Sequence, residues 1–201
     1  MAKPRKKSLS TRRLLLDAAF RAIHRDGFQA AGLNAILAET GLTKGALYHH
    51  FSSKMELGYA VVEGPLRDYL NDWWLRPLED KDDPLQALAL VISTRLKKDL
   101  PQMLTLGCPL NNLAQEMAPV DDGFRSRIEI LYRDWRRMLA KALRQGQHAG
   151  SVDTAIEVDT TAAFIIAALQ GAFSQAKNAQ DMKIFHQCLM GLNDYLNGLR
   201  P

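Results

Sequence analysis

The sequence predicts an all-α protein, with a small N-terminal three-helix module followed by a larger helical body, about nine helices in all. Three observations carry this. Apolar residues recur at three- and four-residue steps through successive stretches of the chain, the spacing that lines one face of a helix. Glycine or proline punctuates the ends of those stretches, as at Gly27, Gly41, Pro77 and Pro101. The charge also divides with position: residues 1–58 hold ten Lys/Arg against four Asp/Glu, and residues 59–201 hold sixteen against eighteen. At 201 residues the chain can bury a full core, and the expected division is a basic arm at 1–9, a first module at 10–57 and a body at 58–201.

Taken in order, Ala2 to Ser8 (AKPRKKS) has four cations and no large apolar residue, so it is expected to be disordered in the free protein. Such an arm either follows phosphates into a minor groove or is a solvated tail that adds non-specific affinity. Ser10 or Thr11 is expected to cap the first long helix, which turns Leu15, Leu16, Ala19, Phe20 and Ile23 inward and stops at Gly27. Phe28, just past the stop, is expected to close a small core against Ile36, Leu47 and Phe51.

The run Leu33 to Phe51, LNAILAETGLTKGALYHHF, reads as two short helices joined by a tight turn. Leu33, Ile36 and Leu37 give the first an apolar stripe. Gly41 stands where a left-handed residue ends a helix at little cost. Thr43 can cap the second through its hydroxyl. Stepping about 100° per residue from Lys44 sorts this second helix into two arcs. Ala46, Leu47, His50 and Phe51 face one way; Lys44, Gly45, Tyr48 and His49 face the other. The second arc offers a cation, a phenol, an imidazole and bare backbone, which suits phosphates and base edges. A helix-turn-helix follows, with Thr43, Lys44, Gly45, Tyr48 and His49 at duplex DNA, the positive charge of the same end supplying the electrostatic footprint. A helical hairpin inside some other core is the competing reading of this pattern.

From Thr11 to Leu57, the segments AAFRAIHRDGF, ILAETGLTKGALYHHF and SSKMEL resemble the DNA-binding domain of the TetR family of bacterial transcriptional regulators. TKGALYHHFSSK, Thr43 to Lys54, is the most specific stretch. The chain departs from the family pattern at Ala31 and Gly32, where hydroxyl residues are usual. The resemblance implies a three-helix helix-turn-helix domain and a larger helical ligand-binding and dimerisation domain. It also implies a homodimer on an inverted-repeat operator, released by a small-molecule effector.

Ser52 or Ser53 is expected to cap the next helix, with Lys54 at its positive end beside a backbone phosphate. Gly64-Pro65 is expected to end or kink that helix, and in proteins of the resembling family a shift of this element changes the separation of paired reading heads. A helix is expected from Leu85 to about Leu100, broken before Pro101. Beyond it, Gly107-Cys108-Pro109 precedes Leu110, Leu113, Ala114 and Met117 at helical spacing. This is similar to a Gly-Cys then Asn-Leu-Ala segment in one group of TetR-like regulators, some of which sense electrophiles through that cysteine. Cys108 is therefore either a thiol activated at a helix N-terminus or a small hydrophobe in a core turn.

The pattern from Asp121 to about Gly146 sets Phe124, Ile128, Leu131, Trp135, Met138 and Leu139 on one face. Together with Tyr69, Trp73, Met103 and Cys108, Phe124 and Trp135 are candidates to line an apolar effector pocket, or they are solid core. Val158 to Ala176 mixes large residues with many small ones, and a last helix follows over about Asp181 to Leu199. Ile165, Ile166, Leu169, Phe173, Phe185, Leu189 and Leu192 are expected to form a four-helix dimer contact; the other reading is that they complete the monomer's core.

Catalysis finds little support. The chain has no nucleophile elbow, phosphate-binding glycine loop, zinc-binding His-Glu-x-x-His or dinucleotide fingerprint. No catalytic residue, metal or cofactor is expected. Two cysteines are too few for a disulfide framework or thiolate cage. No apolar run approaches ~20 residues and nothing resembles a secretory leader, so a cytoplasmic protein with no membrane partner is expected. The class that competes with a DNA-binding regulator is a helical protein–protein adaptor, which leaves the basic module without a role.

Overall fold

The computed structural model describes the chain from Pro4 to Pro201, and the side chains of residues 10–94 and 104–201. All regular structure among these residues is helical. The chain forms two compact units, residues 1–69 with 109–129 and residues 70–108 with 130–201. This differs from a single cut after residue 57, because a distant segment returns to complete the first unit.

In the first unit, α1 (Pro4–Asp26) packs on α2 (Leu33–Thr40), α3 (Lys44–His50) and α4 (Lys54–Val61). The first helix starts earlier than a cap at Ser10 or Thr11 requires, taking in part of the expected disordered arm. Pro4 is its first residue, the position where a missing N–H costs nothing. Residues 1–3, and all side chains of the 1–9 arm, lie outside those described. Leu15, Leu16 and Ala19 are buried with Ile36, Leu47, Phe51 and Leu57. Phe20 is half-buried, its ring 6.2 Å from Tyr69 and 6.1 Å from His24.

The returning segment is α7 (Pro109–Met117) and the start of α8 (Asp122–Ala149). Phe28 meets Phe124 edge-on at 4.6 Å, and Tyr59 meets the same ring at 5.0 Å. A Cβ at Gly58 would lie 2.4 Å from Phe28 and 2.6 Å from Phe124, so a glycine is what lets the rings reach this helix. Phe124 is fully buried here.

Gly64-Pro65 neither ends the helix nor leaves a gap. A π-helical turn, Val62–Leu66, carries the chain on into α5 (Arg67–Leu70), and a second π turn follows at Asn71–Leu75. Proline cannot donate to the carbonyl four residues back, and an i→i+5 turn lets the following N–H take its place. Val61, Val62, Pro65 and Leu66 are all buried as a result. A short 3₁₀ turn, Arg76–Leu78, closes the run.

In the second unit α6 (Pro84–Leu106) packs against α9 (Val158–Ala179) and α10 (Met182–Asn197). Pro101 lies inside α6 instead of breaking it. An interior proline removes one helical hydrogen bond, a local loss that helix packing can override. Trp74, Trp135, Phe173 and Phe185 form the centre, with Trp74 to Trp135 at 5.4 Å, Trp74 to Phe173 at 6.5 Å and Phe173 to Phe185 at 5.4 Å. Glu157 caps α9 through the N–H groups of Asp159 and Thr160, and Asp181 caps α10 through that of Lys183. The C-terminal end is fastened where Asp153 N–H donates to the Leu199 carbonyl at 2.8 Å and Arg200 pairs with Asp83.

Candidate nucleic-acid interface

Thr43 Oγ1 accepts from the Ala46 N–H at 3.2 Å, fixing where α3 begins, and Gly41 before it takes the left-handed conformation at φ 66°. Those two local choices set the rotation of a seven-residue helix. Leu47 is wholly buried while Thr43, Lys44, Gly45, Tyr48 and His49 are exposed, Tyr48 by 51%. The outward arc is thus the one the sequence separates from Leu47 and Phe51. At Gly45 the nearest atom to an added Cβ is the Thr43 hydroxyl at 3.8 Å, so the backbone there is open to a partner.

Beside α3 lies a cleft of about 350 Å³ lined by Gly32, Leu33, Asn34, Leu37, Lys44, Leu47, Tyr48 and Lys54. Asn34 is the polar residue that sequence reasoning passed over. It is exposed near the start of α2, facing the same cleft as Lys44 and Tyr48, and the apolar stripe Leu33-Ile36-Leu37 drew attention away from it. Gly32 caps α2 with extended backbone and no side-chain hydrogen bond.

Lys54 departs from the expected free phosphate ligand. Its Nζ donates to the Gln29 carbonyl at 2.9 Å and sits 5.0 Å from the centre of the Phe28 ring. One of its three donors thus holds the turn after α1. The other side of that turn is held by Glu116 of α7, whose two carboxylate oxygens accept from the N–H groups of Phe28 and Gln29, both at 2.8 Å. Ser53 caps α4 through the Glu56 N–H, and Glu56 accepts in return from the Ser52 N–H. That return bond holds the Glu56 carboxyl below its ordinary pKa. His50, the last residue of α3, has its pKa lowered by burial first, then by His49 and Arg12, so it resists protonation. Asp121, one residue before α8, accepts from the Phe124 N–H and the Tyr59 hydroxyl, both at 2.8 Å, and these lower its pKa in that order.

The residues named for an effector pocket are divided between the two units. Phe124 and Tyr69 belong to the first unit, Phe124 locked between Phe28 and Tyr59 and Tyr69 against Phe20. Trp135 is buried on Trp74 in the second unit, next to Trp73, which is half-buried. Cys108 is buried, immediately before α7. The Met103 side chain lies outside those described. Helical spacing put these residues on inward faces; it could not say which face of which unit.

The stripe named for dimer contact also needs correcting. Ile165, Ile166, Leu169, Phe173, Phe185 and Leu192 are buried within the single chain, and Leu189 is half-buried. They hold α9 and α10 to their own unit's core. On the outside of these helices Phe164 of α9 is 50% exposed and Met190 of α10 is 67% exposed. An open groove of about 310 Å³ runs there between Phe164, Ala168, Gly171, Cys188, Gly191 and Tyr195. Phe164 and Tyr195 pack edge-on at 4.6 Å. On α9, Ile165, Ile166, Leu169 and Phe173 point inward together with Ala162, Ala172 and Ala176, while Phe164 and Ala163 face out. Among the described residues no helix is long and apolar enough to cross a membrane, and no group of three His, Cys, Asp or Glu is placed to hold a metal ion.

Comparison with known proteins agrees with this geometry from both ends of the chain. Residues 15–61 match the family described as bacterial regulatory proteins, tetR family, and residues 84–190 match the tetracyclin repressor-like C-terminal domain. The chain is 27% identical over 176 residues to an uncharacterised HTH-type transcriptional regulator of Lactococcus lactis, covering 87% of each protein. It is 28% identical over 167 residues to the HTH-type transcriptional repressor DhaR of Mycobacterium sp. strain GP1, covering 81% of this chain and 80% of that one. Among solved structures, reduced E. coli NemR superposes with a TM-score of 0.79 at 23% identity, covering 92% of this chain and 96% of NemR. A regulator from Chloroflexus aurantiacus superposes with a TM-score of 0.81 at 21% identity, covering 96% of each. With its reading helix and its helical body each matched to the corresponding half of the same proteins, this chain belongs to the TetR family of DNA-binding transcriptional regulators.

Proposed function

We propose that the protein is a ligand-responsive repressor that binds an inverted-repeat operator as a homodimer and is released from it by a small apolar or electrophilic effector. The observation that carries this is the capped, outward arc of α3, which presents Lys44, Gly45, Tyr48 and His49 together with Leu47 as its anchor. Lys44 and Tyr48 read base edges, Asn34 and Thr43 flank them, and the remaining donors of Lys54 reach a phosphate. Two such helices about one DNA turn apart, ~34 Å, address successive major-groove faces. The second copy docks on the uncovered face of α9 and α10, where Phe164 and Tyr195 supply contact area and Gly171 and Gly191 permit close approach. An effector acts by preferring the conformation whose heads are wrongly spaced. Such a regulator works in the cytoplasm and performs no catalysis.

Selecting bound duplexes from a random pool tests this directly. An inverted repeat with a steep fall of affinity against salt is the expected result, alongside a dimer by light scattering. Recovery of no common sequence, or of a particle that stays monomeric when DNA-bound, overturns it. An adaptor would show no salt slope.

A Cys108-triggered version has one specific observation in its favour. Cys108 directly precedes α7, the helix whose Glu116 holds the turn at Phe28 and Gln29. Cys108→Ser should then abolish release by electrophiles while sparing DNA binding; a mutant that still responds removes the cysteine as sensor.

A further inference from the structure

We infer that Gln170, oriented by Tyr132, is the hydrogen-bond donor of an effector site in the second unit that takes a flat aromatic molecule bearing a neutral carbonyl-type acceptor. This rests on the reading of the protein as effector-responsive. Among the described residues the buried polar side chains are Thr161 and Gln170. Gln170, in α9, is 9% exposed. Its Oε1 accepts from the Tyr132 hydroxyl at 2.7 Å, while its Nε2 is shut off from solvent and has no partner. Buried side-chain donors are nearly always satisfied, so an unsatisfied one needs a reason.

The surroundings supply it. Tyr132 stands one helical turn before Trp135 on α8, and Gln170 one turn before Phe173 on α9. Trp135 and Phe173 both flank Trp74, with centroids 5.4 and 6.5 Å away. The polar pair therefore borders an aromatic cluster. The bond from Tyr132 engages the amide oxygen and leaves the NH₂, which can only donate. A neutral donor in apolar surroundings favours a neutral acceptor over a carboxylate, whose charge would be costly to bury unpaired. Flanking rings favour a flat apolar body.

The test compares two probes of one shape, 2-acetylnaphthalene and 2-ethylnaphthalene, on the full chain, by quenching of tryptophan fluorescence. Wild type should bind the ketone about tenfold more tightly than the hydrocarbon. Gln170→Leu should erase that preference. Tyr132→Phe should weaken the preference without erasing it. Equal affinity of wild type for both probes, binding of neither, or a preference that survives Gln170→Leu would each overturn the assignment. A ketone that binds with the expected preference but leaves operator binding untouched supports the donor site and counts against the effector reading. Release of operator by a compound indifferent to Gln170→Leu does the reverse.

Discussion

The two units of this chain differ in emphasis: in the first a carboxylate, Glu116, reaches across the sequence to grip backbone N–H groups, whereas in the second Glu157 and Asp181 cap their own helices and aromatic rings fill the middle. In the first, carboxylates grip backbone N–H groups: Glu116 at Phe28 and Gln29, Asp121 at Phe124, Glu56 at Ser52. In the second, Trp74, Trp135, Phe173 and Phe185 fill a centre by contact. Directional bonds fix the position of a turn and lose their strength in one step when the acceptor changes. Packing tolerates small shifts but not lost volume. Under the proposed function, a reading head that meets a base edge benefits from the first, and a body that responds to a small molecule benefits from the second.

The largest expected effect tests the packed side of this contrast. Trp135→Ala should cost about 3–5 kcal/mol of stability in urea unfolding; a loss below about 1 kcal/mol would mean the second unit does not depend on that centre. Gly58→Ala probes whether the first unit is equally intolerant of volume where Phe28 and Phe124 meet α4. With a Cβ at 2.4 Å from Phe28, overpacking should cost about 1–3 kcal/mol, and a neutral result would blur the distinction in favour of polar ties alone. Lys44→Ala should leave stability intact and weaken operator binding by about 1–3 kcal/mol with relaxed sequence preference. Equal losses on operator and random duplexes would demote Lys44 to a phosphate contact. Glu116→Gln keeps the shape but one of the two accepting oxygens becomes an amide nitrogen. It should cost the first unit about 1 kcal/mol, read as faster hydrogen exchange at the Phe28 and Gln29 amides while amides near Trp135 are unchanged.

The smallest effect is a pH dependence. Asp121 has its pKa lowered by the Phe124 N–H and the Tyr59 hydroxyl. A depressed carboxyl contributes stability that is present above its unfolded value and is lost as pH falls through the folded one. Acid below about pH 4 should therefore loosen the junction of α4 and α8, and Asp121→Asn should flatten that limb of the stability profile. An unchanged limb would show that the bond to Tyr59 adds nothing.

Much of this was legible in the sequence where a local rule decides. Thr43 and Gly41 specify the ends of their helices by backbone chemistry alone, and the arc of Lys44, Tyr48 and His49 follows from helical geometry once Leu47 is anchored. What the periodicity could not reveal is which partner an apolar face meets. Phe28 was expected against Ile36, Leu47 and Phe51, and it is Phe124, 96 residues further along, that closes on its ring. Ile165 and Phe173 read as a surface awaiting a second copy, yet they complete their own core, leaving Phe164 and Met190 outside. The prolines misled as well: at Pro65 a buried π turn carries the helix on, and Pro101 stands inside α6 without ending it. Glu116 and Asn34 gave no signal at all, since an acid on an amphipathic helix and an amide near a helix start are ordinary in isolation.

The π turn at Val62–Leu66 amounts to one extra residue stored inside a continuous rod. Deleting a single residue there would restore ordinary α-helical geometry, but every later side chain of the rod would come out rotated by about 100°. Length is therefore rationed where the rod's backbone looks least regular, at Val62–Leu66 and again at Asn71–Leu75.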